Sequence, residues 1–148
     1  MYSCSLCFTA FSNVTSWGAQ IAVSDLNRDG RLDIVATHHE QRAMTVLIGD
    51  GQGGFTEADG SPFDFGVSLY QIIIADVNRD ATMDVIATSG DSLRVLLGDG
   101  RGAFKSAASI PVGPGAWRMS AADLNGDGKI DVVTSNSEGN NISVLLSP

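Results

Sequence analysis

The sequence predicts an all-β fold assembled from repeated antiparallel units, on three observations. One segment recurs three times, as IAVSDLNRDGRLDIVATHH, IIIADVNRDATMDVIATSG and MSAADLNGDGKIDVVTSNS. Its first aspartates, Asp25, Asp76 and Asp123, stand 51 and 47 residues apart. The apolar runs between the acidic and glycine-rich turns are short and rich in Val and Ile, and none sustains a helical period.

Each unit has the same grammar. A short β-type run leads into the acidic loop, and a second run (LDIVAT, MDVIAT) leaves it. A polar turn follows, then a third run (MTVLIG, LRVLLG). A glycine-rich turn, DGQGG or DGRGA, leads to a last run opening at Phe55 or Phe104. Gly, Asp, Asn and Ser bound these runs because they tolerate the turn conformations that β-branched residues resist. Four strands in a unit of this length is the signature of a β-propeller blade.

The blades are expected at residues 17–66, 67–114 and 115–148, the last without its outer strand. Residues 1–16, around SLCFTAFSN, align with the outer-strand segments of the other copies and are expected to complete another blade. Rings of this type have ~4–8 blades. The chain is therefore expected either to pair as a homodimer into a six-bladed ring or to be part of a longer propeller.

Composition narrows the function classes. Hydrophobic residues at 43% and charged ones at 18% suit a globular core. A net charge of −8 with 9 basic residues argues against gripping nucleic acid. No apolar run approaches the ~20 residues of a membrane span, so no membrane insertion is expected. The N-terminal MYSCSLCFTAF lacks the basic start of a signal peptide. Cys4 and Cys7 form a lone C-x-x-C without the further ligands of a zinc site, and read as incidental thiols.

The acidic loop is a cation loop by chemistry. DLNRDGRLD presents Asp25, Asn27 and Asp29 at alternate positions, then Gly30 and Asp33. Calcium takes ~6–8 oxygen ligands, and an EF-hand would supply its last from the twelfth position. That position holds Ala36, Ala87 or Thr134, whereas every copy has aspartate at the ninth: Asp33, Asp84 and Asp131. The flanks are β runs, so the loop joins two strands and is not an EF-hand. Nine of the 17 acidic residues lie in the three loops, a concentration that like charges tolerate best around a cation.

ADLNGDGKIDVV followed in another copy by VLLGDGRGAF resembles the FG-GAP/VCBS repeat family, the blade type of integrin-α-like propellers. The resemblance covers essentially the whole chain. It implies a calcium-binding propeller, commonly extracellular, serving adhesion, glycan binding or assembly. It also implies a ligand set in each loop. The first is Asp25, Asn27, Asp29, the Arg31 carbonyl and Asp33; the third is Asp123, Asn125, Asp127, the Lys129 carbonyl and Asp131. The second keeps Asp76, Asn78, Asp80, Asp84 and the Thr82 carbonyl position, but Ala81 replaces the turn glycine. Up to three calcium ions per chain are expected, with the second site weaker or empty, because a Cβ disfavours the left-handed turn.

Recognition is expected elsewhere. The residues ahead of each first strand vary while the loops do not: Gln20, Tyr70 with Gln71, and Trp117 with Arg118. Variation on a constant scaffold is where binding usually resides, and Tyr, Trp and Arg suit sugar or protein contacts. His38 and His39 belong to one blade alone and are further ligand candidates. The leading expectation is a calcium-stabilised module that binds a glycan or protein partner. The alternatives are a hydrolase or lyase assisted by calcium or His38/His39, and a structural repeat segment of a larger surface protein.

Overall fold

The computed structural model describes residues 20–148. The segment 1–16 expected to form an outer strand, and Cys4 and Cys7 within it, lie outside the described residues. The described chain is all-β, with three sheets and no helix.

The first sheet contains β1 (Ile21–Ser24), β2 (Asp33–His38), β3 (Ala43–Gly49), β4 (Phe55–Glu57) and β5 (Phe63–Asp64). The second contains β6 (Ile72–Ala75), β7 (Asp84–Ser89), β8 (Ser92–Gly98) and β9 (Phe104–Pro111), and the third β10 (Ala116–Ala122), β11 (Asp131–Asn136) and β12 (Asn141–Leu145). Every pairing is antiparallel and sequential neighbours pair, the arrangement of propeller blades.

The outer strand of the first sheet departs from the simple four-strand unit. It is broken into β4 and β5, both paired with β3, whereas β9 runs unbroken. A turn from Ala58 to Ser61 and then Pro62, which has no N–H to donate, interrupt the ladder. The Ser61 hydroxyl accepts the Val46 N–H at 3.1 Å, which keeps that donor satisfied across the break.

The core follows the two-residue period of strands. On β7, Val85 and Ala87 pack toward Val35, Met44 and Val46 of the first sheet. Ile86 between them packs toward Met119 and Val132 of the third. The middle sheet is thus covered on both faces. Each end sheet keeps one apolar face open: Ile21 is 71% exposed and Val23 53% on one side, Ile142 66% and Val144 54% on the other.

Candidate functional sites: acidic loops and an aromatic cleft

The acidic loops follow β1, β6 and β10; Gln20 precedes β1, Tyr70 and Gln71 precede β6, and Trp117 and Arg118, expected ahead of the third repeat's first strand, lie within the start of β10. The two sets of candidates therefore lie at opposite ends of the first strand of each sheet.

The loops are built by their own carboxylates. Asp25 accepts the N–H groups of Asp29 (3.2 Å) and Gly30 (2.9 Å). Asp76 accepts those of Asp80 (3.1 Å) and Ala81 (2.9 Å), and Asp123 those of Asp127 (3.1 Å) and Gly128 (2.8 Å). The amides of Asn27, Asn78 and Asn125 each donate to the aspartate two residues on and accept its N–H. The backbone N–H of Arg31 holds the Asp29 carboxyl below the ordinary value, helped by Asn27. The Lys129 N–H does the same for Asp127, and for Asp80 the Thr82 hydroxyl leads and the Thr82 N–H follows.

The ninth-position aspartates have a second task. Asp33 is buried and accepts Leu26 N–H at 2.8 Å and Gly49 N–H at 2.9 Å. Asp84 accepts from Val77 (3.1 Å) and Gly98 (3.0 Å), and Asp131 from Leu124 (2.9 Å) and Ser147 (2.8 Å). Each ties its loop to the end of the third strand. Burial pushes the Asp84 carboxyl above the ordinary range, against the pull of those two N–H groups.

The donor chemistry of the loops fits calcium. The donors are hard oxygens, and the fifth-position carboxyls stay ionised to unusually low pH. Among the described residues, no three His, Cys, Asp or Glu side chains converge closely enough to hold a metal by themselves. The amide oxygens of Asn27, Asn78 and Asn125 and the carbonyls of Arg31, Thr82 and Lys129 would have to complete the shell of a bound ion.

The second loop keeps the turn although it lacks the glycine. Ala81 sits at φ 65°, beside φ 81° at Gly30 and 78° at Gly128. The Thr82 hydroxyl bonds the Asp80 carboxylate, so one oxygen of the set is shared. The loops are also linked in series. Arg28 Nη2 donates to the Asp80 carbonyl at 3.2 Å, and Arg79 Nη2 to the Asp127 carbonyl at 3.4 Å. Both arginines hold the fourth loop position; Gly126 holds it in the third copy.

At the other end of the sheets lies a cleft of 220 Å³ lined by Gln20, His39, Tyr70, Gln71, Trp117 and Arg118. It joins six of the variable candidates, drawn from all three repeats. The His39 and Tyr70 rings are 4.7 Å apart and the Tyr70 and Trp117 rings 4.5 Å, a tilted row. Trp117 lies at a register shift between Ala116 and Arg118 and is 48% exposed. A bulge of this kind re-aims one side chain, here onto Tyr70.

His38 does not join the cleft. It is buried, with Nε2 2.7 Å from the Thr45 hydroxyl. Successive residues at the end of β2 face opposite ways, so only His39 reaches the aromatic row. Gln71 reaches the cleft but is engaged: its Oε1 accepts Met119 N–H at 2.6 Å and its Nε2 donates to Met119 O at 3.0 Å. That clasp fixes Tyr70 against Trp117 across two sheets. Nothing in one sequence signals it, since the partner is backbone.

A chain of blade-like antiparallel sheets, each with an acidic loop after its first strand, defines a repeat protein of the propeller type. Two overlapping FG-GAP-like repeats match residues 25–87 and 76–134, and the chain belongs to that family. Cartilage acidic protein 1 of Xenopus tropicalis is 27% identical over 145 residues, covering 88% of this chain and 22% of that protein. The chain spans about a fifth of the length of this relative.

Proposed function

We propose that the chain is a calcium-stabilised propeller segment that binds a glycan through the cleft of His39, Tyr70 and Trp117. The observation that carries this reading is the meeting of three aromatic side chains, one from each repeat, in one cleft beside Arg118. Ring faces take the apolar face of a sugar, and the amide and guanidinium edges supply the hydrogen bonds that orient it. Calcium bound by the three loops would add folding free energy by mass action, since only the folded chain presents the donors together. The first and third loops are the stronger sites, because Ala81 strains the second and Thr82 competes for Asp80. Family membership and a relative named for cartilage support a place outside the cell.

The test is a glycan array followed by calorimetry on the wild type and Trp117→Ala. Loss of the stacked ring is expected to weaken binding at least tenfold, about 1.4 kcal/mol or more. Binding that survives Trp117→Ala, or a protein partner captured by the same cleft, overturns the glycan reading. Turnover of a glycan that is lost in His39→Ala would move the chain to the enzymes.

A further inference from the structure

We propose that Arg28 is a positioning residue that holds the second acidic loop in its turn in spite of Ala81, acting across the boundary between two sheets. The argument turns on one peptide group. The Asp80 carbonyl and the Ala81 N–H belong to the same planar unit and point opposite ways. The N–H faces inward, onto Asp76 Oδ2 at 2.9 Å. The carbonyl faces outward, where Arg28 Nη2 donates to it at 3.2 Å. With both ends of this plane fixed, and the next plane held by the Thr82 N–H on Asp80 Oδ1 at 2.7 Å, the torsion at Ala81 stays at φ 65°, a conformation that a Cβ disfavours.

Arg28 is placed for this by its own loop, where it also has a positive φ of 64°. Its guanidinium lies over the turn at Gly100, whose added Cβ would stand 3.4 Å from Arg28 Nε. A side chain on that glycine would crowd the path from one loop to the next.

The third loop is an internal control. Arg79 makes the equivalent bond to the Asp127 carbonyl, but at 3.4 Å, and the turn there is made by Gly128 at φ 78°. Glycine needs no outside support in that region. The same arginine position is therefore critical at the second loop and dispensable at the third.

The calcium part of the test rests on the proposed calcium reading; the metal-free part does not. In the metal-free chain, exchange of the Ala81 amide is followed by NMR. Arg28→Met is expected to speed it about fivefold, the worth of one hydrogen bond, and Arg28→Lys to restore part of the protection. In an Ala81→Gly background the same substitution is expected to change nothing. Arg79→Met is expected to leave the Gly128 amide as it was. In a calcium titration read at the same amides, Arg28→Met is expected to weaken the second loop several-fold, and Ala81→Gly to cancel that loss. An unchanged Ala81 amide in Arg28→Met overturns the proposal, as does an equal effect in the glycine background. Tighter calcium binding at the second loop in Arg28→Met also overturns it, since charge repulsion would then outweigh positioning. If no loop binds calcium while the exchange pattern holds, the calcium reading falls and the role of Arg28 stands.

Discussion

At Gly98 the backbone of two strands comes too close for any side chain. A Cβ added there would lie 2.2 Å from the Met83 carbonyl oxygen, and at Gly49 the same distance from that of Leu32. The Phe104 and Phe55 rings close over these glycines at 3.4 and 3.3 Å from the added carbon. This is why a glycine ends the third strand and a phenylalanine opens the fourth in both complete copies. Gly98→Ala must move backbone rather than a flexible side chain, and is expected to destabilise the chain by about 1–3 kcal/mol. Gly90 offers the contrast. It has φ 69° and open space around it, so Gly90→Ala carries torsional strain alone, about 1–2 kcal/mol. Urea denaturation measures both losses, and NMR separates the two, because only Gly98→Ala should disturb the ring resonances of Phe104. A Gly98→Ala chain with unchanged midpoint and unchanged Phe104 signals would refute the account of this contact.

The acidic loop is the element whose ionisation couples to folding. Asp29, Asp80 and Asp127 have carboxyls lowered from the model-peptide value of 3.8, mainly by hydrogen bonds from residues two positions on. For such a group the folded state favours the ionised form. Its contribution is fully present above the unfolded value and is lost as pH falls through the lower, folded one. Asp84 runs the other way: burial raises its carboxyl, so its share favours folding at low pH and is lost as pH rises through its folded value. Asp50, lowered by the N–H groups of Gln52 and Gly54, adds to the first set; four groups among the described residues oppose one, and the metal-free chain is expected to lose stability as pH drops below about 4. Urea midpoints at pH 5 and pH 3 measure the loss, and Asp127→Asn should flatten it. A metal-free chain equally stable at both would contradict the balance. The loops were legible in the sequence because their donors are local and repeat in register. The ties from Asp33, Asp84 and Asp131 to the third strand were not, since each joins a side chain to a backbone N–H 14 to 16 residues away. His38 and His39 could be told apart only once the strand end fixed which of them faces inward.

For the whole molecule, the decisive quantity is the apolar surface left by stacking. The repeat and the strand alternation were enough to read three blade-like sheets from the sequence. The partial break in the first outer strand was hidden because Pro62 acts through a turn whose geometry the pattern does not encode. The stack covers both faces of the middle sheet, but Ile21 and Val23 at one end and Ile142, Val144 and Leu146 at the other remain exposed. Exposed apolar faces of packed sheets mark interaction surfaces, and a propeller hides them by closing its ring. Further blades or a second copy of this chain would do so. For the 148-residue chain alone we propose the second copy, since the two open faces of each three-sheet stack would be covered by two-fold pairing into a ring of six. Sedimentation equilibrium in calcium is then expected to give about twice the 15.5 kDa of one chain. A chelator should shift the mass toward the monomer, because the loop after β1 borders the open face of the first sheet. Ile142→Asp, which puts a charge on the other open face at an exposed strand position, should cost the folded stack about 1 kcal/mol at most and give a folded monomer even with calcium. A wild-type chain that is monomeric and stably folded in calcium would mean that three blades stand alone, and would overturn the ring.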